Sequence, residues 1–284
     1  MERVGYYNGE IAPVEELKVP VLDRAYYFGD GVYDATSVAN GMPFALEEHL
    51  DRFYNSCRLL EIPFTMSREE LTEELMKVVK EFDGAHGLLY WQASRGTAYR
   101  GHKFPEGNVK PNLMIMLNPI NPAPMSKKVK LVTMEDTRYF HCNIKTLNLI
   151  PNVMAAQKAE SMGCDETVFH RGDRVTECAH SNVSIIKDGV LRTAPCDNLI
   201  LPGITRKHMI ELAHELDIPV EEKPFTVEEL FDADEVIVSR SGALCHAAES
   251  IDGKPVGGRA PEILEKLYAA YEEKFRKGTG QKQG

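Results

Sequence analysis

Two segments of this sequence contain a lysine and a glutamate that could act together in catalysis. Lys145 lies among uncharged and apolar neighbours in HCNIKTLNLIPN, and Glu177 follows a short strand-like run in GDRVTECAHSN. A lysine kept out of water loses its charge more easily, and its amine then acts as a nucleophile or a Schiff-base partner. A carboxylate can keep the ring nitrogen of a pyridine cofactor protonated. The pair therefore predicts pyridoxal phosphate chemistry, with a surface lysine and a turn glutamate as the ordinary alternatives.

A third segment, LPGITRKHMIEL, could bind a phosphate group. Gly203 permits a tight turn before a predicted helix, and Ile204 and Thr205 would then present free amides and a hydroxyl group. A helix start with Thr205 as its N-cap is the alternative. The loop SRSGA, residues 239–243, is a second candidate for binding the phosphate. Arg52 in HLDRFY could add positive charge, or it could simply lie on a helix surface.

Candidate substrate-binding residues lie in two further segments. The loop ASRGTAYRGHKFPE contains Arg100 and His102, and the planar guanidinium group of arginine matches a carboxylate. Tyr33 follows two glycines in YYFGDGVYD, and glycine lets the backbone approach a ligand closely. The alternatives are a solvated basic loop and an aromatic residue of a strand.

The pattern of strands and helices predicts two α+β domains. Three prolines fall close together in NPINPAPMS, and proline stiffens a chain because it fixes φ and lacks an amide donor. We therefore expect a smaller domain over residues 1–118, a proline-rich linker over 119–125 and a larger cofactor-binding domain over 126–284.

Local signals predict the individual elements. Asn40 and Gly41 are typical of a hairpin turn, and the pair Ser67 and Glu70 is typical of a capping box at a helix start. Apolar spacing predicts helices in EEHLDRFYNSCRLLEI, SREELTEELMKVVKEF, PNVMAAQKAESMG, ITRKHMIELAHELDI and the tail from Pro261. Strands are predicted in GVYDATSVA, HGLLYWQASRG, PNLMIMLNP and VKLVTMED, and paired strands in DETVFHRGDRVTE, SNVSIIKDGVLRTA and DEVIVSRSGALCHAAESIDG.

Composition limits the functional classes. The formal net charge of −10 makes a nucleic-acid surface or an anionic membrane surface unexpected. The six cysteines form no C-x-x-C pair, the histidines have no metal-ligand spacing, and no apolar run is long enough to cross a bilayer. We therefore expect a cytoplasmic protein with small-molecule substrates, no bound metal and no membrane or nucleic-acid partner.

Along nearly its whole length the sequence resembles the fold-type IV pyridoxal phosphate enzymes, which are the class IV aminotransferases. The stretches that carry the resemblance are FGDGVYD, EEHLDRFY, SRGTAYRGHKFPE, CNIKTLNLIPN, MGCDETVFHR, LILPGITR and the IDGK turn. The resemblance implies a two-domain fold, a homodimer and a pyridoxal 5'-phosphate cofactor. It also implies that Lys145 forms the Schiff base and that Glu177 bonds the pyridine nitrogen. The residues implied to hold the phosphate or lie behind the ring are Arg52, Leu201, Ile204, Thr205 and Ser241.

Within that group the sequence is most similar to the bacterial D-amino-acid aminotransferases. In those enzymes a tyrosine and an R-x-H pair trap the substrate carboxylate, and Tyr33, Arg100 and His102 match these positions. Branched-chain aminotransferases and aminodeoxychorismate lyases, the alternatives on the same fold, as a rule lack the R-x-H pair. The expected reaction is a ping-pong transfer of the amino group of D-amino acids such as D-alanine to a 2-oxo acid such as 2-oxoglutarate. His180 and Arg240 depart from the family pattern, and the resemblance assigns no role to them.

Overall fold

The computed structural model describes residues 1–242 and 244–280, which form two compact units. Ala243, the last residue of the SRSGA loop, lies outside the described residues. The first unit comprises Met1–Pro122, Ile144–Asn148 and residues 276–280, and the second comprises Ala123–Asn143 and Leu149–Phe275.

The division differs from the sequence prediction, which assigned all of residues 126–284 to one domain. Two segments of that range belong to the first unit because they bond to residues far away in the sequence. The carbonyl of Lys145 accepts a hydrogen bond from the amide of Tyr33 at 2.9 Å. Near the C-terminus, the carbonyl of Thr279 accepts one from the Asn40 side chain at 3.2 Å. Local sequence patterns carry no signal for such pairing.

The first unit contains a six-stranded antiparallel sheet, with strand order β2-β1-β6-β5-β3-β4. Helices α2 and α3 bury their apolar faces with the sheet in a core that includes Phe53, Leu75 and Trp91. The elements are β1 (Val4–Tyr7), β2 (Glu10–Pro13), α1 (Arg24–Phe28), β3 (Gly31–Ala39), β4 (Met42–Pro43), α2 (Leu46–Leu59), α3 (Arg68–Lys80), β5 (His86–Ser94) and β6 (Asn112–Pro119).

Two of the local signals in this unit are confirmed. Asn40 and Gly41 both have positive φ, of 52° and 71°, as a two-residue hairpin turn between β3 and β4 requires. At the start of α3 the Ser67 hydroxyl accepts from the Glu70 amide, and the Glu70 carboxylate accepts from the Ser67 amide. The predicted capping box therefore begins that helix.

The second unit contains a nine-stranded mixed sheet. The strand order is β12-β11-β10-β13-β14-β7-β8-β9, and β15 pairs with β14. The elements are β7 (Val129–Glu135), α4 (Ile150–Ser161), β8 (Glu166–Arg171), β9 (Arg174–Cys178), β10 (Asn182–Lys187), β11 (Val190–Thr193), α5 (Ile204–Glu215), β12 (Val220–Glu222), α6 (Val227–Phe231), β13 (Glu235–Arg240), β14 (Leu244–Ile251) and β15 (Lys254–Pro255). Helix α7 (Pro261–Gly278) follows and continues into the C-terminal segment of the first unit.

Parallel pairing in this sheet depends on crossover connections. Strands β7 and β8 are parallel, as are β11 and β12, and α4 and α5 lie in the respective connections. The predicted hairpins β8–β9 and β10–β11 are confirmed, and the second turns through Asp188 and Gly189, both with positive φ. No helix in the described part of the chain is long and apolar enough to cross a membrane.

Candidate active site

The segment that carries Lys145 lies along the open edge of β3. Strand β3 pairs with β4 over two residues and with β5 along its length, which leaves the other edge of Gly31–Tyr33 open. At that edge Val32 forms an isolated antiparallel bridge with Thr146. The Tyr33 amide donates to the Lys145 carbonyl at 2.9 Å, and the Leu147 amide donates to the Gly31 carbonyl at 3.1 Å. The Lys145 amide also donates to the Ser56 hydroxyl at 3.3 Å. These bonds fix the backbone of the lysine from two sides.

Gly31 permits this close approach. A Cβ atom at this position would lie 2.7 Å from the Ala93 carbonyl oxygen and 2.7 Å from the Leu147 side chain. Both distances are well below ordinary contact. The second glycine of FGDGVYD is thus required by the packing of the Lys145 segment against β3.

The Lys145 side chain lies against aromatic residues. Its Nζ is 4.3 Å from the centre of the Tyr33 ring, which in turn stacks on Tyr90 with ring centres 5.3 Å apart. No carboxylate of the described residues forms an ion pair with this amine. Burial, together with the electrostatic effect of the neighbouring Tyr33, raises the pKa of Tyr90 above its ordinary value, so the Tyr90 hydroxyl stays protonated at neutral pH. Lys145 is therefore a half-buried residue whose amine lies against the Tyr33 ring.

Arg52 lies in a buried charged cluster of the first unit. Its Nε and Nη2 donate to the two carboxylate oxygens of Asp34 at 2.9 and 2.7 Å, and His49 Nδ1 is 2.7 Å from the same carboxylate. Burial would raise the pKa of Asp34, but the charges of Arg52 and His49 outweigh it and lower that pKa far below its usual value. Burial lowers the pKa of His49, and the nearby Asp34 carboxylate opposes part of that shift. Arg52 is thus held in the interior and does not lie on the helix surface.

The predicted substrate residues fall into two groups. Tyr33 contacts Lys145 and Tyr90, as described above. Arg100 and His102 are exposed, and both lie against Phe28, at 5.1 and 5.3 Å from the centre of its ring. The structure therefore brings Tyr33 to the lysine and leaves the R-x-H pair open to solvent.

Glu177 lies at the end of β9 and is buried in the second unit. Arg138 Nη1 donates to its Oε1, and Oε2 accepts from Asn182 Nδ2 at 3.1 Å and from the Leu201 amide at 3.0 Å. Three donors on a buried carboxylate favour its ionised form and restrict its orientation. An ordinary exposed turn glutamate would have none of these restraints.

Arg138 is the centre of a wider buried network. Its Nε and Nη2 each donate to Asp136 at 2.9 Å, and Nη2 also donates to the Leu199 carbonyl at 3.1 Å. Arg171 donates to the same Asp136 carboxylate at 3.2 Å. Burial would lower the pKa of Arg138, but the hydrogen bond to Asp136 and the charges of Glu177 and Asp136 outweigh it and raise that pKa above its ordinary value.

The predicted phosphate segment begins a helix whose N-cap is Gly203 and not Thr205. Glycine has no side chain to cap the helix, so the first amides of α5 have no partner from the cap or from the helix itself. A Cβ at Gly203 would lie 1.9 Å from the Asn182 side-chain oxygen, so the contact with Asn182 excludes any larger residue. Thr205 is buried in the first turn of the helix, beside these amides.

The second candidate phosphate loop follows β13. Ser239 is buried, and its hydroxyl has no hydrogen-bond partner among the described residues, whereas Ser241 is half-buried in the turn that follows. Arg240 between them is exposed and contacts His180 Nε2, while His180 Nδ1 lies 3.0 Å from Glu166. The two departures from the family pattern are thus neighbours on the surface. The described residues contain no cluster of His, Cys, Asp and Glu that could hold a metal ion.

Comparison with known proteins identifies the family. The family described as "Amino-transferase class IV" matches residues 31–251. The D-alanine aminotransferase of Staphylococcus epidermidis is 40% identical over 271 residues, covering 94% of this chain and 96% of that protein. The D-alanine aminotransferase of Listeria monocytogenes is 38% identical over 279 residues and covers 96% of each chain. The chain belongs to the class IV aminotransferases.

Solved structures agree with the fold expected for this class IV aminotransferase. The Escherichia coli branched-chain amino acid aminotransferase superposes with a TM-score of 0.87 at 26% identity, covering 99% of this chain and 96% of the other. The branched-chain aminotransferase of Thermoproteus uzoniensis, at 24% identity, has a TM-score of 0.85 with the same coverage and shows the fold alone. The predicted α+β fold-type IV architecture is confirmed.

Several residues that surround the site were not predicted from the sequence. Arg138 and Asp136 lie directly after β7 in MEDTRYF, and Asn182 begins β10. The only available signal was a pair of opposite charges, D-x-R, at the end of a buried strand. Asp34 was part of the FGDGVYD stretch but was not assigned a role.

Proposed function

We propose that this class IV aminotransferase uses pyridoxal 5'-phosphate to transfer the amino group of D-amino acids, such as D-alanine, to a 2-oxo acid, such as 2-oxoglutarate. The observation that carries the proposal is the half-buried Lys145 amine, which lies against Tyr33 without a carboxylate partner among the described residues. A lysine in such surroundings is available for covalent and proton-transfer chemistry. The names of the relatives support the D-amino-acid substrate.

The residues of the chain fit the chemical groups of this cofactor. A phosphate suits the uncapped amides at the start of α5, the buried Thr205 hydroxyl and the Ser239 hydroxyl, which lacks a partner among the described residues. A protonated pyridine nitrogen suits the buried carboxylate of Glu177. Lys145 would hold the aldehyde carbon, and Arg52, Leu201, Ile204 and Ser241 complete the proposed set. When bound, the cofactor supplies an electron sink for the Cα–H bond of the substrate.

The residues of the chain then have separate tasks. The Lys145 amine would remove the proton from the substrate Cα and later deliver a proton to the former aldehyde carbon of the cofactor, on the same face. Hydrogen bonds with Tyr33 and Ser56 hold the backbone of Lys145, so the amine can move while the backbone of the residue stays fixed. Glu177 remains an anion throughout because three donors stabilise that form. Donor and acceptor use the same residues in turn, which gives ping-pong kinetics.

The preference for D-amino acids is assigned to Tyr33, Arg100 and His102. A lysine held at one position would reach the Cα proton from one side only, so the direction from which the carboxylate docks would select the hand of the substrate. Arg100 can bind that carboxylate through two parallel hydrogen bonds, and His102 can add a third donor. Both side chains are exposed in a single chain, which fits a pocket that a second copy completes.

We further propose a homodimer in the cytoplasm. Helix α4 exposes Ile150, Val153 and Met154 with 73%, 59% and 60% of their surfaces accessible, and these positions share one helical face. An apolar face of this kind suits burial against another protein surface. All six cysteines are free thiols, which fits a reducing compartment.

Assays of separate enantiomers test the function directly. With 2-oxoglutarate as acceptor, D-alanine should give turnover and L-leucine should give little, and Lys145→Ala should abolish both turnover and the visible absorbance of protein-bound cofactor. Lys158→Ala is the matched control, because Lys158 is a lysine of α4 that donates to the Thr133 carbonyl. Turnover by Lys145→Ala with the absorbance intact would contradict the assignment.

The same screen distinguishes the second candidate. Several solved structures with the same fold are branched-chain aminotransferases, so an L-branched-chain amino-acid substrate is the alternative. Efficient turnover of L-leucine with none of D-alanine would replace the D-amino-acid proposal and leave the aminotransferase class unchanged.

A further inference from the structure

Arg138 joins three segments of the second unit around Glu177. It follows β7 in the sequence, donates to Glu177 on β9, and donates to the Leu199 carbonyl in the loop that leads to α5. The same loop supplies the Leu201 amide that bonds the other oxygen of Glu177 at 3.0 Å. One guanidinium group therefore fixes both the carboxylate and the loop that restrains it.

The geometry requires an arginine at this position. Two nitrogens, Nε and Nη2, are used by Asp136 in a bidentate pair at 2.9 Å each, and Nη1 remains for Glu177. A lysine ammonium could neutralise one carboxylate but could not hold both in a fixed plane. Arg138 is only 7% exposed, so its charge acts on Glu177 with little screening by water.

We propose that Arg138 is a positioning residue for the transamination, which holds Glu177 ionised and oriented toward the cofactor nitrogen. The inference rests on the proposed function. Without Arg138, the Oε1 atom of Glu177 would lose a charged donor, while Oε2 would keep the Asn182 side chain and the Leu201 amide. The carboxylate would then rotate and protonate more easily, and the ring nitrogen would be protonated less completely. Asp136 would keep Arg171 as a cationic partner.

Three single variants test the role of Arg138. Arg138→Met removes the positive charge and keeps a side chain of similar length. Arg138→Lys keeps the charge but loses the planar guanidinium group, and Arg174→Met is the control. Arg174 lies on β9 three positions before Glu177 and pairs with Asp197 at 2.5 Å. We expect Arg138→Met to lower kcat roughly 10- to 100-fold, the range found for outer partners of metal ligands, with KM for the amino acid little changed. Arg138→Lys should recover part of the loss, and Arg174→Met should stay within about threefold of the parent protein.

Two readouts separate positioning from a general structural effect. The first is the pH midpoint of the visible absorbance change of bound cofactor, which should shift in Arg138→Met and not in Arg174→Met. The second is a double-mutant cycle with Glu177→Gln, in which removal of Arg138 should cost less than about threefold in kcat. An equal loss in both backgrounds, or an unshifted midpoint, would overturn the inference. If Arg138→Met does not unfold cooperatively, Arg138→Lys decides by the same comparisons.

The Glu177→Gln variant distinguishes an error about Arg138 from an error about the proposed function. If Glu177→Gln alone keeps the kcat and spectrum of the parent protein, then Glu177 does not bond the cofactor nitrogen. The proposed roles of Glu177 and of Arg138 are then both wrong. If Glu177→Gln loses activity while Arg138→Met and Arg138→Lys do not, only the role of Arg138 is wrong.

Discussion

At the scale of single residues, the chain restrains Lys145 and Glu177 in opposite ways. The backbone of Lys145 is fixed by bonds from Tyr33 and to Ser56, while its amine lies against an aromatic ring. Glu177 is fixed at the carboxylate itself by three donors. A movable amine suits proton transfer, and an immobile anion suits a permanent contact. The two residue types alone predict the chemistry, and the restraints agree with the separate roles proposed for them.

The packing of Gly31 against the Lys145 segment gives a prediction at this scale. In Gly31→Ala the new Cβ would lie 2.7 Å from the Ala93 carbonyl oxygen and from Leu147, so the segment must move away from β3. We expect a loss of stability of about 1–3 kcal/mol. Because Lys145 shifts with the segment, kcat should fall by up to about 100-fold. Denaturant unfolding and steady-state kinetics measure the two effects.

Gly41→Ala is the matched control for Gly31→Ala. Gly41 has a positive φ of 71° and no atom within 4 Å of its added Cβ, so the substitution strains a turn and displaces nothing. It should lower stability while leaving kcat unchanged. Equal kcat values in the two variants would show that the contact of Gly31 does not position the lysine.

At the scale of elements, local signals predicted the longer helices and the hairpins correctly. Residues 67–70 have the capping-box pattern, and residues 188–189 have the Asp-Gly pattern of a tight turn. Both motifs act through their own backbone, so neighbouring sequence suffices to specify them. The same reasoning missed α6, although Thr226 and Glu229 form a second capping box, because that helix is only five residues long. It also missed β1 and β2, which turn at Asn8 and Gly9.

The surroundings of the site depend on pairing between distant segments, which local patterns do not encode. Lys145 was predicted from its apolar neighbours, but its place on the edge of β3 follows from bonds to Gly31 and Tyr33. Likewise, Glu177 was predicted, while Arg138 became evident only from the structure. Residue types in the site are thus predictable from the sequence, and the partners that tune them are not.

The capping box of α3 gives a prediction at the scale of an element. Ser67→Ala removes the hydroxyl that accepts from the Glu70 amide, and we expect unfolding free energy to fall by about 1 kcal/mol. Ser67→Asp keeps an acceptor at the N-cap and should retain most of the stability. Since α3 contributes no proposed site residue, kcat should stay unchanged in both variants. Denaturant midpoints at equal m-values provide the measurement, and equal midpoints for Ser67→Ala and the parent protein would contradict the expected role of the cap.

At the scale of the whole molecule, the surface of α4 is the feature that a single chain leaves unexplained. Its inner side packs through Ala155 and Ala159, and Thr167 donates to the Ala155 carbonyl at 2.7 Å. Its outer side exposes Ile150, Val153 and Met154, which cost free energy in water. The rest of the chain is rich in charged residues, with a formal net charge of −10, so the apolar composition of this face is distinctive. The retention of apolar residues there favours a partner surface, and a second copy is the partner proposed above.

Substitutions on that face test the dimer together with the substrate pocket. Val153→Lys combined with Met154→Lys places two charges on the apolar face, so self-association should weaken and the monomer should predominate at micromolar concentration. Glu73→Lys, at an exposed position on α3, changes the net charge by the same amount away from α4 and should stay dimeric. Sedimentation velocity across a concentration series measures both. Because a second copy is proposed to complete the pocket around Arg100 and His102, activity of the double variant should fall with the dimer fraction. A parent protein that sediments as a monomer, or a double variant that stays dimeric and active, would contradict an interface at α4.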